Sequence, residues 1–199
     1  MSKGEETKER ILHKAAALFN TRGYAGASIS DIMQVTGLKK GGIYNHFQSK
    51  DDLALQAFDY AVDLIKQRYR GALKNKRHAV ERLQGIISVF QANIGNPVVE
   101  GGCPLMNTAI ESDDTHPVLR KRAQSVMDDW RNMVCRVIQK GISRGEIRSE
   151  VNPDEVATVM ITLLEGAVMM SKLYDDPIHL ERAIKHLNNY IKVELQAEI

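Results

Sequence analysis

Apolar residues along this chain recur at helical spacing, and no stretch alternates as a β-strand would. Ile11, Ala15, Leu18 and Phe19 fall at i, i+4, i+7 and i+8, which marks one face of a first helix. Arg22-Gly23 ends it, glycine being the usual residue just past a helix C-terminus. Ser28, three residues before Asp31, reads as a capping box that opens a short second helix, halted by Thr36-Gly37. A third helix is expected from about Lys40 to Phe47, and Ser49 with Asp52 caps a fourth that runs to about Leu73. Residues 77–95 read as a fifth, and a short sixth starts near Pro104 after the Gly101-Gly102 break. His116-Pro117 opens a seventh to about Arg144, closed by Gly145. Asn152-Pro153-Asp154-Glu155 supplies a cap, an N1 proline and two first-turn acids for an eighth, and Asp176-Pro177 opens the last. The pattern predicts an all-α chain of about nine helices without repeats.

Two helices carry apolar stripes: Val156, Met160, Leu163, Leu164 and Ala167 on the eighth, and Leu180, Ile184, Leu187, Ile191 and Leu195 on the ninth. Such stripes either close the chain's own core or form a four-helix seam between two copies. Near the start, Ile32, Val35, Leu38, Ile43 and Phe47 are expected to form a small core with Ile11, Leu12 and Phe19. Two short helices joined by Thr36-Gly37-Leu38 within that core match a helix-turn-helix, whose second helix enters the DNA major groove.

That expectation explains the stretch KKGGIYNHFQSKDDL from Lys39 to Leu53. Adjacent glycines cost a helix about 1 kcal/mol each relative to alanine. Gly41 and Gly42 would instead let the backbone approach a duplex closely. Lys39 and Lys40 supply cations, Tyr44, Asn45 and His46 project polar tips, and Lys50 suits a phosphate. Charge agrees: residues 1–50 hold eight Lys/Arg against four Asp/Glu, a balance of +4, while the remainder is at −2. A positive end on a near-neutral body suits a polyanion.

The residues RILHKAAALFNTRGYAGASISDIMQVTGLKKGGIYNHFQSKDDL closely resemble the DNA-binding domain of the TetR family of one-component transcriptional regulators. The order of Phe19, Gly23-Tyr24, Ile32, Gly37, Gly41, Tyr44, Phe47, Lys50 and Leu53 gives that resemblance its specificity. It implies that Ser28 and Lys50 hold phosphates, with Tyr44 and His46, and that Lys39, Lys40, Gly41 and Asn45 lie against the groove. Ala27 and Gly42 depart from residues common in the family. The resemblance further implies a DNA-binding domain over residues 1–50 and an effector-binding, dimerising body over residues 51–199. The chain would then act as a homodimer through residues 153–174 and 177–197, repressing at a double-stranded, pseudo-palindromic operator until a small-molecule or electrophile effector releases it.

In the body, Asn107 and Glu165 (with Glu111) are polar groups on apolar helices that could orient a ligand, or could face solvent. Trp130 and Met169, with the other methionines, could line an adaptable pocket or fill ordinary core. Cys103, between Gly102 and a helix start, is either a thiol whose pKa the helix dipole lowers or a small residue in a tight turn. Some members of the family that sense electrophiles carry a Gly-Cys at this place, and Lys172 is a conceivable partner for such a thiolate.

The six histidines and two cysteines have no metal-ligand or redox spacing, so neither cofactor nor metal is expected, and no catalytic set stands out. A helical thiol enzyme would need a resolving thiol or an activating base near Cys103, and the sequence offers neither. An architectural DNA binder would show no operator preference. No apolar run is expected to reach the roughly 18 residues of a membrane span, and the start lacks a signal-peptide core, so the expected compartment is the cytoplasm.

Overall fold

The computed structural model describes residues 2–197. Among them are nine α-helices and no strand: α1 Lys3–Arg22, α2 Ile29–Thr36, α3 Lys40–Tyr44, α4 Lys50–Leu73, α5 Ala79–Gly95, α6 Pro104–Ser112, α7 Pro117–Ser143, α8 Pro153–Tyr174 and α9 Ile178–Tyr190. A π-helical turn, Ile191–Leu195, extends α9, and an isolated antiparallel bridge joins Ile147 to Gln196. Packing groups the chain into two units, Met1–Ile65 with Val98–Val126, and Lys66–Pro97 with Met127–Ile199.

The caps lie where local chemistry demands them. Ser28 Oγ accepts the Asp31 N–H at 3.1 Å while the Asp31 carboxylate accepts the Ser28 N–H at 2.8 Å, a closed capping box. Gly37 ends α2 at φ 70°, in the left-handed region. At α8, Asn152 Oδ1 accepts the N–H groups of Asp154 and Glu155.

In the first unit, Ile11, Ala15, Leu18, Ile32, Ile43, Phe47 and Leu53 form the core, with Leu12, Phe19 and Leu38 packed at its edge. Val35 does not join them, being 40% exposed. An eight-residue α2 turns Ile29, Ile32, Met33 and Thr36 inward at i, i+3, i+4 and i+7, which leaves position 35 off that face. Helix α3 is also shorter than its pattern suggested. Its last turn tightens as the N–H groups of both His46 and Phe47 converge on Ile43 O, at 3.0 and 3.2 Å, delivering Phe47 into the core.

In the second unit, α8 packs along α9. Val156, Met160, Leu164, Leu180, Ile184, Leu187, Ile191 and Leu195 are all buried within the chain, and Leu187 is 0% exposed. Apart from the half-buried Leu163, the two stripes therefore form internal core, and a seam between copies would use another face. Helix α8 has such a face, with Val159, Met169, Met170, Leu173 and Tyr174 exposed. Being apolar on two sides, α8 contains an 18-residue window of mean hydropathy 1.5, which corrects the expectation that no run is apolar and long enough to span a membrane. Its packing against α9 is that of a core helix.

Candidate functional site

Helix α3 projects the expected polar set outward. Lys39, Lys40, Gly41, Tyr44 and Asn45 are exposed, Gly42 and His46 are half-buried, and Ile43 and Phe47 anchor the segment from beneath. Lys40 Nζ lies 5.9 Å from the centre of the Tyr44 ring, so cation and aromatic share one outward edge. A Cβ placed on Gly41 would meet no atom within 4 Å, and one on Gly42 would make ordinary contact with Leu38. Neither glycine is required by packing within the fold.

Two of the expected phosphate ligands are engaged within the protein. Ser28, exposed at the start of α2, donates its hydroxyl to Asp31 Oδ2 at 2.5 Å while capping the helix. These bonds, the Ser28 N–H and the neighbouring Arg22 hold the Asp31 carboxyl below the usual range. Lys50 Nζ donates to Tyr24 O at 2.6 Å and sits 4.2 Å from the centre of the Tyr24 ring. It keeps N–H groups to spare, because an ammonium has three donors.

Behind the helix-turn-helix lies a network that the sequence did not reveal. The Glu111 carboxylate at the end of α6 accepts the Tyr24 N–H at 2.7 Å and the Ala25 N–H at 2.9 Å. Gly23, at φ 78° and ψ 163°, brings the backbone onto that carboxylate, and a Cβ there would stand 2.6 Å from Glu111 Oε1. The Tyr24 hydroxyl donates to Asp51 Oδ1, while the imidazole of His116 meets the Tyr24 ring edge-on at 4.7 Å. Burial first, then the bond to Asp51 and its charge, push the Tyr24 phenol up to about 12. His116 Nδ1 accepts the Leu119 N–H at 3.2 Å, the capping role usual for a lone histidine. Gly23-Tyr24 was visible as a motif, but nothing local links it to a glutamate 87 residues on.

The expected effector residues fall in both units. Cys103 stands at the N-cap of α6 and is half-buried. Asn107 donates its amide to Asn20 O, Asn20 Oδ1 and Gly101 O at 3.1, 2.8 and 2.9 Å, tying α6 to the end of α1. In the second unit, Trp130 is buried and stacked on Phe90, Glu165 is buried, and Met169 and Lys172 are exposed. Cys135, the other thiol, donates to Pro153 O, and burial followed by the charge of Asp154 raises its pKa. Among the described residues, no three histidine, cysteine or acidic side chains come together as a metal site.

Two family models match the chain. Residues 11–57 match the bacterial regulatory proteins of the tetR family, and residues 79–187 match the tetracyclin repressor-like C-terminal domain. A solved TetR transcriptional regulator from Chloroflexus aurantiacus is 48% identical, covers 100% of both chains and superposes with a TM-score of 0.96. The transcriptional regulator of the TetR family from Cytophaga hutchinsonii is 30% identical, covers 100% of this chain and 99% of its own, and has a TM-score of 0.90. The HTH-type transcriptional repressor DhaR of Mycobacterium sp. (strain GP1) is 24% identical over 96% of this chain and 91% of its own.

Proposed function

The chain belongs to the TetR family of DNA-binding transcriptional regulators, which are not enzymes, and from that membership we propose that it is a cytoplasmic repressor of a pseudo-palindromic operator. Residues 1–50 read the DNA, and residues 51–199 bind an effector and dimerise. The observation that supports this most directly is α3 itself: Lys39, Lys40, Gly41, Tyr44 and Asn45 are exposed together on a helix whose apolar face is sealed in the core. Asn45 is the residue suited to reading a base edge. Lys39, Lys40 and the spare donors of Lys50 suit phosphates, with Ser28, Tyr44, Gly42 and His46 at the rim.

Regulators of this family bind operator DNA and small-molecule effectors, typically as dimers. In this chain the homodimer seam runs through residues 153–174 and 177–197, formed by the exposed face of α8 around Met169 and Leu173 rather than by the buried stripes. Two heads held at a fixed spacing then match two half-sites. The effector acts through the body, with Cys103 and Asn107 proposed as its contacts in the first unit, or Trp130, Glu165 and Lys172 in the second. Its binding favours a conformation whose heads no longer fit that spacing. The electrophile form of this reading uses the Cys103 thiol, and the non-covalent form leaves it as a turn residue.

The test is selection of duplexes from a randomised pool, followed by titration of the winner and a scrambled copy over a range of salt. A preference for the winner of about a thousandfold is expected. Asn45→Ala should relax that preference by about 1–3 kcal/mol. Equal retention of the two duplexes by the unaltered protein refutes the reading.

A further inference from the structure

The first unit contains a cavity of about 260 Å³ behind the helix-turn-helix, between α1, α4, α6 and the start of α7. Its walls owe their space to alanines: Ala16 on α1, and Ala54, Ala57 and Ala61 on α4 at i, i+3 and i+7, flanked by Phe19 and Phe58. An apolar cavity of about 150 Å³ already admits benzene, so this one has room for about ten non-hydrogen atoms. A row of small residues would not by itself make a site. Ser112, which also lines the cavity, is 2% exposed, and among the described residues its Oγ has no hydrogen-bond partner. Buried hydroxyls ordinarily find one, so this group is poised for something that enters. The Glu111 carboxylate borders the same space, and its charge disfavours an anion.

We propose that this cavity binds a neutral molecule of about ten non-hydrogen atoms, with an apolar body and one hydroxyl or carbonyl that bonds Ser112 Oγ. The site has a direct mechanical output. Ser112 and Glu111 are adjacent on α6, and Glu111 holds the N–H groups of Tyr24 and Ala25 in the segment that leads into α2. A molecule that presses on Ser112 shifts Glu111 against those bonds, loosening the backbone that positions the reading helices. This regulatory consequence rests on the operator reading above, whereas binding itself does not.

Calorimetry on the full chain without DNA tests the site, with 4-propylphenol as probe and propylbenzene as its counterpart lacking the hydroxyl. One 4-propylphenol per chain is expected, bound about fivefold more tightly than propylbenzene. Ser112→Ala should erase that preference while keeping the fold. Ala54→Leu, which fills the space, should abolish binding, with helix content by circular dichroism checking that the variant is folded; if it is not, Ser112→Ala alone decides. No heat up to the probe's solubility, a preference that survives Ser112→Ala, or undiminished binding by folded Ala54→Leu overturns the site. Anisotropy on the selected operator then tests the output: saturating 4-propylphenol should weaken binding at least about fivefold in the wild type. Unchanged operator affinity with the probe bound overturns the coupling. Failure to bind any duplex would count against the operator reading alone, because the calorimetry stands apart from it.

Discussion

Removing the Glu111 carboxylate should destabilise a segment 87 residues away, and the size of the effect follows from two bonds. The carboxylate accepts the N–H groups of Tyr24 and Ala25 at 2.7 and 2.9 Å. Hydrogen bonds to charged groups contribute about 1.5–3 kcal/mol each, and the half-buried setting favours the lower end, so Glu111→Ala should cost about 3 kcal/mol. Glu111→Gln, which keeps one carbonyl oxygen as acceptor, should cost about half that. Gly23 provides the internal control. Its backbone, at φ 78° and ψ 163°, occupies a region that strains other residues by about 1–3 kcal/mol. A Cβ there would also lie 2.6 Å from Glu111 Oε1, forcing the carboxylate off its two donors. Gly23→Ala should therefore cost about 3–5 kcal/mol in the wild type and about 2 kcal/mol less in the Glu111→Ala background, where nothing remains to displace. Urea unfolding of the four proteins, read as midpoint shifts at a common slope, measures both quantities. Additivity within about 0.5 kcal/mol, or a Glu111→Ala cost below that figure, refutes the clamp.

Other outcomes follow from the same structure. Lys40→Ala should weaken binding to every duplex alike and reduce the slope of log affinity against log salt by about one, because a lost phosphate contact releases one fewer counterion. A loss confined to the operator would contradict this. Leu173→Glu, on a residue 72% exposed, should leave a folded monomer by sedimentation, whereas Leu187→Glu, at a site 0% exposed, should unfold the chain rather than dissociate it. A Leu173→Glu protein that remains dimeric would move the seam elsewhere. The Gln48 N–H, then the Gln56 amide, and the charge of Lys8 hold the Asp52 carboxyl below its ordinary 3.8. A group so lowered stabilises the fold above 3.8 and loses that contribution as pH falls through its native value. Asp52→Asn should thus cost about 0.5 kcal/mol near neutrality, because solvent screens a carboxylate this near the surface, with the difference vanishing in acid. A difference that persists at low pH would mean that charge is not its source.

Helix ends were legible because capping is local. Ser28 with Asp31, Asn152 before Pro153, and the glycines at 23, 37 and 145 each announce a terminus within a few residues. The outward set on α3 was legible too, since Ile43 and Phe47 fix which way the other side chains must point. Periodicity reports which face of a helix is apolar but not what covers it. The stripes of α8 and α9 accordingly suited a seam between copies as well as they suited each other, and only the packed chain decides between the two. Val35 shows the same limit at short range, where one residue off an inward face separates core from surface. Glu111 and His116 act across the tertiary fold, and although the sequence singles out one as a polar group on an apolar helix and the other as a helix opener, no spacing pairs either with Tyr24.

Gly41 has a consequence for any effort to make this protein more durable. Its position is open on all sides, and alanine in an exposed helix is favoured over glycine by about 1 kcal/mol. On the operator reading proposed above, heat resistance and recognition are set against each other at one backbone atom: the methyl group that firms the free protein takes up space that the duplex would enter. A mutant library screened only for survival at high temperature will be enriched in alanine at position 41, and those survivors will be the variants that have lost the operator. Screening for binding after the heat step returns glycine, and the contrast between the two screens measures what the duplex requires of that position without a structure of the complex.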